Sequence, residues 1–166
     1  MDLTPAYRPG GIKVIQSNKD NSYFAVGRAI DTNSSQDAFT LKLDSNGSYV
    51  NHKLINYLWD DQYDGVCQDK NDNFIVIGRS KPHEVCGGNL MVTKFNHNND
   101  TIMHRTYGAS AGQGMFFRDI KNHSSGGFYS IGSGSKVGFD FACVILDTNL
   151  IVSCVIPCIC GKHLNV

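Results

Sequence analysis

Gly108-Ala109-Ser110-Ala111-Gly112 has the G-x-S-x-G spacing that holds a nucleophilic serine in a strained turn between a strand and a helix. The next residues, Gln113 to Ile120, read as a strand and not as a helix. Asp119 or Asp140 and His123 or His163 exist as triad partners, but nothing in the sequence places them beside Ser110. The segment is therefore read as a Gly/Ser connection between elements. A second group, Cys154, Cys158, Cys160 and His163, offers soft ligands within ten residues, as a tetrahedral zinc site needs. Its spacing is not that of the common paired-cysteine knuckle, so these are read as core or tail cysteines with an incidental histidine, and no metal is assigned. Asp69-Lys70-Asn71-Asp72-Asn73 carries oxygen ligands at alternate positions, as calcium loops do, but lacks the glycine and the downstream glutamate. A plain polar turn is the simpler account.

Gly132-Ser133-Gly134-Ser135-Lys136-Val137-Gly138 faintly resembles a phosphate loop, with a spacing that fits neither G-x-G-x-x-G nor the P-loop. It aligns with Gly27-Arg28-Ala29 and Gly78-Arg79-Ser80, so it is one loop used repeatedly. Arg28 and Arg79 share a position in that alignment. They are candidates to face one rim of the molecule and recognise an acidic partner through charge-assisted hydrogen bonds.

The elements that must position these residues are set by the repeat. Tyr23-Phe24-Ala25-Val26-Gly27, Phe74-Ile75-Val76-Ile77-Gly78 and Phe128-Tyr129-Ser130-Ile131-Gly132 are three versions of one apolar run ending in glycine. Each precedes a second run, Asp37 to Asp44, Asn89 to Asn96 and Asp140 to Asp147, at offsets of 51 to 54 residues. β-branched and aromatic residues alternate with Gly, Asn, Asp and Ser, which predicts short strands and tight turns. In the second copy the strands are expected at Val66–Gln68, Phe74–Arg79, Leu90–Asn96 and Thr101–Tyr107. Asp44-Ser45-Asn46-Gly47 and Asn96-His97-Asn98-Asn99-Asp100 read as equivalent hairpin turns. No segment sustains a 3.6-residue apolar period, so little helix is expected.

Four strands per fifty residues is the geometry of a β-propeller blade. The expected fold is all-β: three four-stranded antiparallel blades, at about 12–63, 64–115 and 116–156, with 157–166 as a tail. Closed propellers typically have four to eight blades. Three blades therefore form an open arc, a fragment of a longer ring, or half of a dimeric ring. The pieces Gly126-Gly127-Phe128 with Gly132, Asp37 with Lys42-Leu43-Asp44, and Tyr107-Gly108-Ala109-Ser110 resemble a widespread family of secreted bacterial and protist β-propeller repeats. The likeness runs from about residue 12 to 155 and departs at Ile145, where the other copies carry lysine. It implies a propeller fold and a surface role, and no reaction.

Composition narrows the function classes. The chain has 166 residues, 41% hydrophobic, with 15 basic and 15 acidic side chains and no net charge. A nucleic-acid binder normally shows a basic excess or stripe, so nucleic acid is disfavoured. No apolar stretch is long enough to span a membrane. No signal peptide is visible, which places the protein in the cytoplasm if the chain is complete. The six cysteines are then expected to be mostly reduced core residues.

The expected function is a non-catalytic binding or assembly module that presents blade loops to a protein or carbohydrate ligand. The candidate contact residues are Arg28, Arg79 and Ser133 in one set of loops, and Tyr63 and Tyr107 between blades. No cofactor is expected. The alternative is a carbohydrate-binding or glycoside-cleaving propeller, which needs two carboxylates in reach. Asp37 and Asp140 stand at equivalent positions, with Asn89 in the middle copy and Trp59 as the one tryptophan for a sugar platform.

Overall fold

One turn design, used repeatedly, sets where the chain reverses. Asp44, Asn96 and Asp147 each use one side-chain oxygen to accept the backbone N–H groups two and four residues ahead, at 2.8–2.9 Å. Three residues ahead, Gly47, Asn99 and Leu150 take positive φ of 82°, 71° and 60°. This is the short hairpin loop that closes on a left-handed residue. Glycine and asparagine enter that region cheaply; leucine costs roughly 1–2 kcal/mol. Leu150 is fully buried in the core, and burial of its side chain offsets the strain. The earlier hairpin of each copy turns with positive φ at Asn21, Asp72 and Gly126; the Asp69 turn repeats the same side-chain pattern, and the Ser17 turn is one residue longer.

The computed structural model describes residues 8–30, 35–82, 88–108, 114–124, 126–135 and 139–158, with side chains at all of these except 114–115, 134–135, 139–142 and 154–158. The described residues form twelve strands and no helix, as the patterning predicts. They are β1 (Arg8–Gln16), β2 (Tyr23–Ile30), β3 (Gln36–Leu43), β4 (Tyr49–Ile55), β5 (Asp60–Gln68), β6 (Phe74–Lys81), β7 (Asn89–Phe95), β8 (Thr101–Tyr107), β9 (Gly114–Asn122), β10 (Phe128–Ser135), β11 (Phe139–Leu146) and β12 (Val152–Cys158). β1 to β8 make one mixed eight-stranded sheet, and β9 to β12 a separate four-stranded one; both are open. Within the larger sheet β1–β4 and β5–β8 are antiparallel runs, joined through the single parallel pair Gln36–Asp60. The segment boundaries expected near 63/64 and 115/116 fall inside β5 and β9, because those strands begin earlier than their apolar residues suggest.

One irregularity recurs in the first strand of every run. The register slips by one residue between Gly11 and Lys13, between Tyr63 and Gly65, and opposite Ile131 and Gly132. The extra residues are Ile12, Asp64 and Arg118. A bulge turns its extra side chain out of the ladder and bends the strand. The glycine that ends each apolar run lies opposite. A Cβ at Gly27, Gly78 or Gly132 would overlap the carbonyl oxygen of Gly10, Gln62 or Phe116, respectively. The shared glycine is thus the steric counterpart of the shared bulge.

The core consists of two layers between successive runs. Phe24, Val26 and Ala38 pack on Tyr63, Val66, Phe74, Val76, Met91 and Phe95. Phe24 and Phe74 stack with ring centroids 4.1 Å apart. On the opposite face Cys67, Ile75, Ile77, Leu90 and Val92 pack on Phe117, Ile120, Phe128, Val144, Leu146 and Leu150. Alternation along β6 sends Phe74 and Val76 to one layer and Ile75 and Ile77 to the other, so the middle run is buried on both faces.

Candidate functional site

β1, β5 and β9 lie side by side, and three arginines gather at the end where their bulges sit. Arg28 on β2, Arg79 on β6 and Arg118 on β9 line one cavity of about 370 Å³ together with Gly10, Gly11, Ile12 and Gln62. Each arginine comes from a different antiparallel run. Arg28 and Arg79 directly follow the glycines that face the bulges, so the same backbone irregularity aims both. Arg118 is itself a bulged residue.

Gln62 organises the group. Its Oε1 accepts from Arg28 Nη1 at 3.2 Å and from Arg79 Nη2 at 3.3 Å. Its Nε2 donates to Asp64 Oδ1. Arg28 Nη1 also donates to Gln36 Oε1 at 2.8 Å. The guanidinium of Arg79 lies 5.6 Å from the centroid of the Phe116 ring, a cation–π contact. Its Nε is buried and has no hydrogen-bond partner in the structure. Among the described residues Asp64 is the carboxylate in contact with the group, 3.5 Å from Arg118 Nη1. Burial pushes the Asp64 carboxyl above its ordinary value, against the opposing pull of Gln62, Arg118 and Arg79. Arg118 and Arg79 thus act on a carboxylate with a weakened preference for the charged form, while Arg28 is held by Gln36 and Gln62. Arg118 is 68% exposed, so its donors face solvent.

The other residues singled out from the sequence fall elsewhere. Ser133, at the position of Arg28 and Arg79, lies on β10 beside Ile131 and Gly132 in a separate, mainly apolar recess that Arg118 and Asp119 also line. Tyr63 stands in β5 rather than in a connection. It is fully buried, and its hydroxyl donates to Thr93 Oγ1 at 2.8 Å, so it offers no surface to a partner. Tyr107 ends β8 and donates its hydroxyl to the Leu150 carbonyl, which fixes the left-handed turn. Cys154 and Cys158 stand on β12, while Cys160 and His163 lie outside the described residues. Among the described residues no group of three His, Cys, Asp or Glu is arranged to hold a metal ion. No helix among them is long and apolar enough to cross a membrane.

The motifs resolve similarly. Of Gly108 to Gly112 only Gly108 is described. One oxygen of Asp69 accepts the N–H groups of Asn71 and Asn73, at 2.8 and 2.9 Å, and the carboxylate pairs with Lys94 at 2.9 Å. It is a turn-forming residue. Asp37 accepts from Asn56 Nδ2 at 2.8 Å, and Asp61 Oδ2 accepts from the backbone of Tyr57 and Leu58 at 2.6 and 2.9 Å. Asp119 pairs with Lys13. These carboxylates hold turns and strands together. The side chain of Asp140 lies outside those described.

A second cavity, of about 330 Å³, opens at the opposite end, between the turns of the second and third runs. Asn71, Lys94, Asn122, Phe128 and Thr148 are in its lining. The corresponding place between the first and second runs is filled. There His97 lies 6.1 Å from the Phe74 ring and contacts Asp20 Oδ2 at 2.7 Å, while its carbonyl accepts from Lys42 Nζ at 2.5 Å. Thr148 is the counterpart of His97, and its shorter side chain leaves the space.

Sequence reasoning singled out Arg28, Arg79 and Ser133 as loop residues, whereas they stand within β2, β6 and β10, which run on past the glycine; it missed Arg118, Gln62 and Asp64. The signal available was weak: Ile12, Asp64 and Arg118 align at offsets of 52 and 54 residues, like the rest of the repeat, but share no chemistry. No protein-family model matches the chain, and comparison with curated proteins finds no match.

Proposed function

We propose that the three runs are blades of a β-propeller and that the chain is a non-catalytic binding module, which takes an anionic, carboxylate-bearing ligand at the mouth lined by Arg28, Arg79 and Arg118. The observation that carries this reading is the convergence of three guanidinium groups from three runs on one cavity around Gln62. Planar forks of donors match carboxylate oxygens in pairs. The middle run, buried on both faces like an inner blade, supports the propeller reading. The resemblance to secreted propeller repeats agrees with a surface role.

The test is titration calorimetry with an acidic peptide rich in glutamate, against the same peptide with glutamine in place of glutamate. The expected result is saturable binding of the first only, weakened about tenfold or more by Arg79→Ala, a loss of roughly 1.5–3 kcal/mol for a charged hydrogen bond. Equal binding of both peptides, or full affinity in the Arg28→Ala, Arg79→Ala double variant, would overturn it.

A further inference from the structure

The repeat shows what belongs on the two faces that the arc leaves bare. Pairing places Phe24, Ile75 and Tyr129 at one position of their runs, and Val26, Ile77 and Ile131 at another. Phe24, Val26, Ile75 and Ile77 are fully buried because the next run covers them. Ile131 is 46% exposed, and Tyr129 is half-buried. Cys143, the counterpart of the buried Val92, is half-buried as well. Beside Ile131 lies the apolar recess of about 400 Å³ bounded by Arg118, Asp119, Gly132 and Ser133. At the equivalent place one run earlier, the backbone of Asp119 on β9 packs against Gly65. The recess is the seat of a following first strand.

The opposite face is bare in the complementary way. Val14, Val66 and Ile120 are equivalent, as are Tyr23, Phe74 and Phe128. Val66, Ile120, Phe74 and Phe128 are buried against the preceding run, whereas Val14 is 57% exposed and Tyr23 half-buried.

We infer that a second copy of this chain covers both faces. Each copy carries one half of a layer that the chain itself builds twice, so the face of Val14 and Tyr23 on one copy is the continuation of the face of Ile131 and Tyr129 on the other. The contact is head-to-tail, and two copies make it twice. Six runs result, within the four to eight of closed propellers, about a two-fold axis. The inference rests on the propeller reading; Val14 stands apart from the arginine mouth, while the recess beside Ile131 shares Arg118 with it.

The test is the solution mass of the wild type and of Val14→Arg and Ile131→Arg by light scattering. The expected mass is twice 18.3 kDa for the wild type. Each variant alone is expected to run at half the wild-type mass with an unchanged circular dichroism spectrum. An equal mixture of the two variants retains one intact pair of faces and is expected to recover the two-copy mass at higher concentration, because one of two cooperating contacts remains. A monomeric wild type would overturn the inference and assign the faces to other blades or to a different partner. A mass that climbs beyond two copies with concentration would overturn ring closure, and a two-copy mass retained by both variants would place the contact elsewhere. Peptide titration of Val14→Arg, whose site is outside both linings, reads the arginine mouth separately.

Discussion

Lys13 on β1 forms an ion pair with Asp119 on β9, two runs away, although β5 lies between them. The residue of β5 at the equivalent position is Gly65, and it has no side chain to stand in the way. A Cβ there would lie 2.9 Å from the Asp119 Cα and 3.1 Å from Ile77 Cγ2. The three inner strands are therefore drawn together at this level by a gap and by the lysine that spans it.

Gly65→Ala is accordingly expected to cost more than loss of the pair itself. Backbone atoms cannot swing aside as a flexible side chain can, so overpacking at this contact should destabilise by roughly 1–3 kcal/mol. Lys13→Met removes a half-exposed pair and is expected to cost at most about 1 kcal/mol. Urea unfolding of the two variants ranks them; the reverse order would mean that the strands are held by charge rather than by close approach.

The chain should lose stability as pH falls through the histidine range. His104 stacks on Tyr57 with ring centroids 3.7 Å apart, and its Nδ1 lies 2.9 Å from Thr93 Oγ1. Burial pushes its pKa below the ordinary 6.5, against a smaller opposing pull from Asp61. The unfolded chain then binds a proton at a higher pH than the folded one. Stability is full above about 6.5 and falls as pH drops below it, levelling off once the folded imidazole is also charged. Thermal melts between neutral pH and pH 5 should show a slope that His104→Gln flattens.

Filling the second cavity should stabilise the protein. Thr148→His places an imidazole over Phe128 beside Asn71, as His97 sits over Phe74 beside Asp20. A gain of about 0.5–2 kcal/mol is expected, of the size common for cavity-filling changes. It would appear as a raised melting temperature, whereas a lowered one would show that the two turn regions are not interchangeable.

Cys67 should resist alkylation in the folded protein. Burial pushes its thiol up to about 12, so almost no thiolate exists at neutral pH. Iodoacetamide labelling and mass spectrometry should find Cys67 modified only under denaturing conditions.

The apolar halves of this fold are legible in the sequence. The runs ending in Gly27, Gly78 and Gly132 form β2, β6 and β10, and the Asp44 and Asn96 turns close hairpins as expected. β5 is legible only from Val66 onward. Its first residues, Asp60-Asp61-Gln62-Tyr63-Asp64, are polar, and the bulge at Asp64 breaks the two-residue period on which strand recognition depends. The site is hidden for the same reason. Arg28 and Arg79 sit in regular strands and share a position, whereas Gln62, Asp64 and Arg118 sit at or near bulges. Tyr63 lies in that stretch too and reads as part of a connection, although its ring packs 6.1 Å from Phe95, edge to face.

The recurrent bulge also separates what must stay constant from what is free to drift. The glycine opposite it is dictated by a carbonyl oxygen and tolerates no side chain, while the bulged residue is isoleucine in one run, aspartate in the next and arginine in the third. Ile12 and Arg118 line the cavity outside both core layers, so charge and shape there can change at these two positions, whereas buried Asp64 is held by Gln62 and Arg118. The lining of that cavity can thus vary while the strands that frame it stay the same.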